Sequence, residues 1–236
     1  MDPKKRIEII QNWISNYVKK MPKKAQSLVV GVSGGIDSAV VSTISAMTGL
    51  KTIVLSMPIK QIEDQDDLSK LHCNWLQKNF KNTEYLNINL DETFSKFEDA
   101  LGKNDSEHAY ANSRARLRMT TLYQVAGSNH GIVVGTGNKV EDFGVGFYTK
   151  YGDGGVDISP IADCTKTQVW EMGRYLKIDQ KIIDAPPTDG LWVDGRNDED
   201  QLGMTYQELE EAMENPQSKN YEKYLKIREN NLHKIK

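Results

Sequence analysis

The segment that points most clearly to chemistry is residues 33–38, Ser-Gly-Gly-Ile-Asp-Ser. An apolar, β-branched run at 28–32 precedes it and predicts a buried strand, and an apolar helical pattern follows it. A glycine-rich turn between a strand and a helix directs unpaired N–H groups into one small volume, where the helix dipole adds positive charge. The expected ligand is phosphate, and Asp37 fits if a divalent cation lies between its carboxylate and that phosphate. The alternative is an ordinary strand–turn–helix whose small residues serve packing.

The familiar phosphate-binding motifs are absent from the sequence. It contains no Gly-x-x-x-x-Gly-Lys-Ser/Thr loop and no Gly-x-Gly-x-x-Gly after a strand. Ser-Gly-Gly-Ile-Asp-Ser instead resembles the pyrophosphate-binding loop of the N-type ATP pyrophosphatases, which cleave ATP between the α- and β-phosphates. The resemblance implies a Rossmann-like doubly wound parallel sheet of the adenine nucleotide alpha-hydrolase-like type.

The elements that must position this loop alternate between strand and helix patterns. Strand patterns occupy 28–32, 52–57, 84–90 and 131–136, and helical patterns occupy 3–19, 64–80, 93–101, 115–126, 166–176, 205–215 and 221–236, besides the helix after the loop. The inward faces are expected to include Tyr17 on the first helix and Leu71 on the third. Such alternation predicts a parallel sheet covered on both sides, with ligands beyond the carboxyl ends of the strands near Ser33, Met57 and Thr136.

The remaining stretches bear on domain organisation. Residues 143–165 are rich in glycine and aromatic residues and show little periodicity, and 190–203 are expected to form a charged loop that orders over substrates. At 236 residues the chain is expected to form one domain, 1–236, with a short C-terminal helical extension from about residue 205.

Composition excludes several function classes. The net charge of −3 argues against a nucleic-acid partner held by a basic face. No apolar run approaches the roughly 20 residues that span a bilayer, so no membrane partner is expected. Cys73 and Cys164 are too few for a disulfide framework, and a cytoplasmic location is expected.

The second half of the chain carries more specific motifs. Residues 135–141 read Gly-Thr-Gly-Asn-Lys-Val-Glu, residues 147–157 read Phe-Tyr-Thr-Lys-Tyr-Gly-Asp-Gly-Gly-Val-Asp, and residues 186–192 read Pro-Pro-Thr-Asp-Gly-Leu-Trp. In this order and spacing they resemble the ammonia-dependent NAD synthetases, from about residue 5 to the C-terminus. The resemblance implies a ligase of NAD biosynthesis. The nicotinate carboxylate of deamido-NAD attacks the α-phosphorus of ATP, and ammonia then displaces AMP from the acyl adenylate.

The resemblance also implies roles for individual residues. ATP is expected to contact Gly31, Val32, Ser33, Gly34, Gly35, Ile36, Asp37, Ser38, Thr136, Lys166 and Thr188, and Mg²⁺ is expected to bind Asp37 and Glu141. Catalytic roles are expected for Asp37, Glu141, Asp153, Lys166 and Thr188. Deamido-NAD is expected to contact Arg116, Lys150, Asp157, His233 and Lys234.

Without the resemblance, several of these residues have plainer interpretations. Glu141 could be a solvated loop acid, and Arg116 and Lys166 ordinary surface charges. His233 alone would be a histidine of the C-terminal tail. Asp153 is either the acceptor of the proton that ammonia loses or a turn aspartate bonded to its own backbone.

The resemblance extends to assembly and nitrogen source. It implies a homodimer whose deamido-NAD site is shared between subunits, with contacts sought in the Gly/aromatic segment and around 114–126. No glutamine-hydrolysing domain is recognised, so free ammonia is the expected donor. The alternatives are a tRNA-thiolating member of the superfamily and a nucleotide sensor without catalysis.

Overall fold

The computed structural model describes residues 1–60, 63–102, 106–188 and 197–235. Helices and strands alternate through the first half, and helices dominate the second. In chain order the elements are α1 (Pro3–Lys20), β1 (Ser27–Gly31), α2 (Ile36–Met47), β2 (Lys51–Ser56), α3 (Glu63–Asn79), β3 (Thr83–Asn87), α4 (Asp91–Leu101), α5 (Glu107–Ser128), β4 (Gly131–Val133), a π-helix (Lys139–Val145), α6 (Lys166–Tyr175), α7 (Gln180–Asp184), α8 (Asp198–Leu202), α9 (Tyr206–Glu214) and α10 (Tyr221–Ile235).

The four strands of the described residues form one parallel sheet in the order β3-β2-β1-β4. The chain runs from β1 outward through β2 to β3 and then returns to place β4 on the other side of β1. This reversal makes the gap between β1 and β4 the topological switch point, where α/β sheets bind their ligands. The loop after β1 therefore lies at the expected crevice.

Alternate residues of β1 pack on opposite faces of the sheet, as strand geometry requires. Leu28 and Val30 are fully buried in a cluster with residues of α1, α2 and α6. Val29 is fully buried in a second cluster with residues of α4 and α5. Each such side chain contributes about 1.5–3 kcal/mol by leaving water. The predicted parallel sheet with helices on both faces is confirmed.

The C-terminal helices pack on the π-helix and form a third apolar cluster. Val140 and Val145 of the π-helix are fully buried there against Tyr206 and Leu209 of α9 and Tyr224 of α10. A π-helix is defined by backbone hydrogen bonds that span five residues where an α-helix spans four, and it is frequent at functional sites. The segment that carries Glu141 is thus held in place by the C-terminal helices α9 and α10.

Two side chains expected to face inward are partly exposed. Tyr17 is 40% exposed because Ile7, Ile10, Ile14 and Val18 already fill the buried stripe of α1. Leu71 is 38% exposed, since the buried face of α3 runs instead through residues such as His72 and Leu76.

The expected loop over 190–203 is wrong for its last part. Asp198–Leu202 form the helix α8, capped at its N-terminus by Asn197, whereas 190–196 lie outside the described residues. The helix α7 was not predicted from the sequence, and β4 ends at Val133, earlier than expected. A single parallel bridge between Val134 and Ile158 continues that edge of the sheet.

Candidate active site

The turn between β1 and α2 is fixed by its own serines. The hydroxyl of Ser38 accepts a hydrogen bond from the amide of Ser33 at 3.1 Å and donates one to the carbonyl of Gly35 at 2.9 Å. Gly34 has a φ of +93°, a conformation that favours glycine. Gly35 is the N-cap of α2 and contributes no capping side chain. The first N–H groups of α2 therefore remain available to an anion, as the sequence predicts.

A cavity of about 240 Å³ opens above this turn, at the carboxyl ends of β1, β2 and β4. Most residues expected to bind ATP lie on its wall: Gly31, Val32, Ser33, Gly35, Ile36, Asp37, Ser38, Thr136, Lys166 and Thr188. Glu141 and Asp153 also line it. The structure thus brings together residues that are as far apart as 157 positions in the chain.

Lys166 lies between two carboxylates at the centre of this wall. Its Nζ is 2.5 Å from Oδ2 of Asp37 and 2.9 Å from Oε1 of Glu141. The Lys166 side chain is only 4% exposed, and each acid is 15% exposed. Thr165 and Gln168 form a capping box that starts α6 at Lys166 and so sets the direction of this side chain. The surface-lysine interpretation of Lys166 and the solvated-acid interpretation of Glu141 are wrong.

Two further residues bond to the cluster formed by Asp37, Lys166 and Glu141, and neither of them was predicted from the sequence as a site residue. Asn138 is fully buried, donates through Nδ2 to Asp37 Oδ1 at 3.1 Å, and accepts through Oδ1 from the amides of Val140 and Glu141. Tyr206 is also fully buried and donates its hydroxyl proton to Glu141 Oε1 at 2.6 Å. The signal for Asn138 was its position as a cap after a strand. Nothing local marked Tyr206 beyond the capping box that begins with Thr205.

The charges of this cluster depend on one another. Burial opposes the charged form of Lys166, but the carboxylates of Asp37 and Glu141 outweigh it and raise the pKa of Lys166. Burial also acts to raise the pKa of Glu141, yet the charge of Lys166 and the hydrogen bond from Tyr206 bring that pKa below its usual value. Burial raises the pKa of Asp37, which Lys166 offsets only in part. Burial and the nearby acids raise the pKa of Tyr206, so its hydroxyl stays protonated.

The donor chemistry of the pair Asp37 and Glu141 fits Mg²⁺. Both supply hard carboxylate oxygens on the wall of the cavity, beside the turn that is suited to phosphate. In the described part of the chain no three His, Cys, Asp or Glu side chains converge on one point. Mg²⁺ is commonly bound by one or two carboxylates together with phosphate oxygens and water, and two carboxylates are present here.

Two more acids face the cavity. Asp153 accepts a hydrogen bond from the amide of Thr149 at 2.9 Å, so the turn-aspartate interpretation describes one of its contacts. Asp142 was not singled out in the sequence. Burial, with the charges of Glu141, Asp153 and Asp37, raises the pKa of Asp142 to about 8. Its carboxylate lies so close to Gly137 that a Cβ there would overlap with Oδ2.

The residues expected to bind deamido-NAD lie away from this wall. Arg116 Nε donates to the carbonyl of Lys150 at 3.3 Å, and Lys150 Nζ donates to the carbonyl of His233 at 2.7 Å. Lys234 Nζ donates to the carbonyl of Gly146, which joins the end of α10 to the same segment. Arg116, Lys150, His233 and Lys234 thus form one group of neighbouring residues. None of them lines the cavity.

Asp157, the fifth of these residues, is separate from the group. Its carboxylate accepts from the amide of Val133 at 2.7 Å and from the hydroxyl of Tyr123 at 3.1 Å. The first contact fixes the end of β4, and the second joins the same carboxylate to α5. Burial and the charge of Asp157 raise the pKa of Tyr123 to about 12, so that hydroxyl remains a donor.

Comparison with known proteins identifies the family. The model of the family described as NAD synthase matches residues 6–236. The NH(3)-dependent NAD(+) synthetase of Carboxydothermus hydrogenoformans is 41% identical over 212 residues, which cover 87% of this chain and 83% of that protein. The chain belongs to the NAD synthase family.

Solved structures of similar proteins have the same fold. The NMN synthetase of Francisella tularensis superposes with a TM-score of 0.91 at 34% identity and covers 100% of this chain and 97% of that one. The NH3-dependent NAD synthetase of Campylobacter jejuni superposes with a TM-score of 0.74 at 27% identity and covers 100% and 94%. The predicted family and α/β fold are confirmed.

Membership of the NAD synthase family also decides between the functional alternatives. The relatives support ammonia-dependent NAD⁺ synthesis, the reaction of a ligase, and not tRNA thiolation or catalytically inactive nucleotide sensing. Within the described ranges, no helix combines the length and apolarity needed to cross a bilayer. The roles expected for individual residues stay predictions.

Proposed function

We propose that the cavity catalyses the two-step amidation of a nicotinate carboxylate at the expense of ATP. The carboxylate oxygen forms a bond to the α-phosphorus while the bond to the β-phosphate oxygen breaks and pyrophosphate leaves. Ammonia then attacks the acyl carbon, loses a proton, and expels AMP. The observation that carries this proposal is the buried cluster of Asp37, Lys166 and Glu141 beside the phosphate-binding turn.

Each part of the site has a task in the first step, which brings anions together. The amides of residues 33–38 hold the departing pyrophosphate, and Lys166 adds a positive charge where negative charge develops. Mg²⁺ bound by Asp37 and Glu141 would neutralise phosphate charge. Thr136 and Thr188, both on the cavity wall, supply hydroxyls for the polar parts of ATP.

Deamido-NAD is the acceptor that the curated relatives favour. The group formed by Arg116, Lys150, His233 and Lys234 supports this choice, because it gathers positive charge outside the ATP cavity, where the second phosphate of a dinucleotide would need it. A second candidate acceptor is nicotinate mononucleotide. It is supported by the TM-score of 0.91 with the structure described as an NMN synthetase, against 0.74 for an NAD synthetase.

A product assay tests both candidates. The protein is incubated with ATP, Mg²⁺ and ammonium, with deamido-NAD in one reaction and nicotinate mononucleotide in another, and AMP, pyrophosphate and the amide are quantified. We expect AMP and NAD⁺ in equal amounts. NMN formed at a higher kcat/KM assigns the second acceptor, and ADP with orthophosphate contradicts the proposal. Glutamine in place of ammonium should give no amide.

Asp153 is proposed to accept the proton that ammonia loses. Its position on the cavity wall, at the turn where it accepts a hydrogen bond from the Thr149 amide, supports this role. The Asp153→Asn variant should form the acyl adenylate at the normal rate but amidate it about 100-fold more slowly. Equal rates of both steps, measured by rapid quench, would contradict the role.

A homodimer is the proposed assembly. Ile9, Trp13 and Tyr17 form an exposed apolar stripe on α1, each at least 40% accessible, and such stripes commonly mark interfaces. Sedimentation should give a dimer at micromolar concentration, and a monomer that turns over normally would exclude a shared site. We further propose a cytoplasmic location, which is consistent with two buried cysteines that are both free.

A further inference from the structure

Tyr206 contacts the cluster of Asp37, Lys166 and Glu141 from the C-terminal helix α9. It is the first residue of α9, is fully buried, and belongs to the apolar cluster that joins the C-terminal helices to the π-helix. Its hydroxyl lies 2.6 Å from Glu141 Oε1 and 3.2 Å from Asp198 Oδ2. A phenol has one proton to donate, and the shorter contact assigns that proton to Glu141.

The ring of Tyr206 contacts the cation of the same cluster. Lys166 Nζ lies 4.8 Å from the centroid of the ring, within the range of a cation–π interaction. The ring is in turn fixed by Trp170, whose ring meets it edge-on with centroids 5.9 Å apart. One side chain therefore contacts both Glu141 and Lys166, while neither its hydroxyl nor its ring belongs to the wall of the cavity.

The orientation of Glu141 depends on this contact. Lys166 and Tyr206 both bond to Oε1 of Glu141, and they approach it from different elements, α6 and α9. Two donors on one oxygen fix the plane of the carboxylate and so set where its second oxygen, Oε2, points. Loss of the hydroxyl would leave Lys166 as the donor to that oxygen, and the carboxylate could then rotate.

We propose that Tyr206 is a positioning residue for the first half-reaction, which holds Glu141 so that its second oxygen can bind the divalent cation of ATP. This inference rests on the proposed function, since it assigns Glu141 to that cation. It makes the docking of α9 on the π-helix a condition for an ordered ATP site. Tyr206 itself does not contact the substrate.

The test removes the hydroxyl alone. In Tyr206→Phe the ring and its contact with Lys166 remain, and in the control Tyr224→Phe a hydroxyl is removed from a buried tyrosine of the same apolar cluster. Binding of Mn²⁺ in the presence of α,β-methylene ATP is followed by electron paramagnetic resonance. We expect about tenfold weaker Mn²⁺ binding for Tyr206→Phe, the size of a hydrogen bond to a charged group, and an unchanged value for Tyr224→Phe.

Steady-state kinetics and a double mutant separate positioning from stability. Tyr206→Phe should raise the Mg²⁺ concentration needed for half-maximal activity about tenfold with a smaller effect on kcat at saturating Mg²⁺. In the background Glu141→Gln, the second substitution should weaken Mn²⁺ binding no further.

Three results would overturn the inference. They are wild-type Mn²⁺ affinity in Tyr206→Phe, an equal loss in the Glu141→Gln background, and a Tyr206→Phe protein that does not fold, since the hydroxyl would then serve stability. A wild-type protein that binds Mn²⁺ and ATP but releases no AMP contradicts the proposed function instead.

Discussion

Replacement of Lys166 by methionine tests whether this lysine holds the two acids of the site together. The substitution keeps most of the aliphatic length and removes the ammonium group. Asp37 and Glu141, each 15% exposed, then face each other without the cation that bridges them at 2.5 and 2.9 Å. Removal of one partner from a buried ion pair costs about 3–5 kcal/mol, because an uncompensated buried charge remains. We expect the free energy of unfolding to fall by that amount at about pH 8.

The loss of stability in Lys166→Met should depend on pH and on Mg²⁺. Burial raises the pKa of Asp37 even when Lys166 is present. Without Lys166 the pKa of Asp37 rises further, and the pKa of Glu141 rises from its lowered value. The folded variant therefore binds protons that the unfolded chain releases, and stability is regained as pH falls. The deficit should shrink toward about pH 5 and should also shrink when Mg²⁺ is added, since the ion replaces the lost charge.

The assay is urea denaturation followed by circular dichroism, at both pH values, with Mg²⁺ or with EDTA. The matched control is Lys181→Met on α7, whose side chain is exposed and which should change stability by less than about 0.5 kcal/mol. Formation of AMP by Lys166→Met should fall by about 100-fold or more. A variant as stable as the control at about pH 8 would show that Lys166 does not act as the counter-ion of the two acids.

Three further perturbations follow from other parts of the fold. His72 is buried with Nε2 3.1 Å from the carbonyl of Ala39, and burial lowers its pKa to about 4. Below pH 6.5 the imidazole of His72 is protonated in the unfolded chain but stays neutral in the folded chain. About 3 kcal/mol of stability should therefore be lost as the pH falls from 6.5 to 4. His72→Gln should lose less over this range, as measured by thermal unfolding. Gly137→Ala should place a Cβ against the carboxylate of Asp142 and lower the free energy of unfolding by about 1–3 kcal/mol, and an unchanged urea midpoint would contradict the close approach. Thr205→Ala should remove the capping box of α9 and lower the free energy of unfolding by about 1 kcal/mol. An unaltered urea midpoint would show that the cap contributes nothing to stability.

Features that depend on neighbouring residues could be predicted from the sequence. The strand–turn–helix at 33–38 follows from a β-branched run, two glycines and an amphipathic helix, and its position at the carboxyl end of β1 follows from the rules of parallel sheets. The capping box of Thr205 and Glu208 is equally local, and α9 begins where it predicts. These rules act over a few residues and need no knowledge of what packs against them.

The family resemblance predicts that Asp37, Glu141 and Lys166 belong to one site, but only the tertiary structure determined that they are buried and bonded to one another. Lys166 and Asp37 are 129 positions apart, and Tyr206 and Glu141 are 65 apart. The π-helix turns Glu141 toward Lys166, and α9 adds a hydroxyl that nothing in the local pattern of Tyr206 marks as functional. The physical reason is that helix and strand periodicity fixes which face of its own element a side chain occupies. Which side chains of other elements it contacts depends on how the elements pack. Burial away from water then strengthens the electrostatic interactions among the few charges that meet.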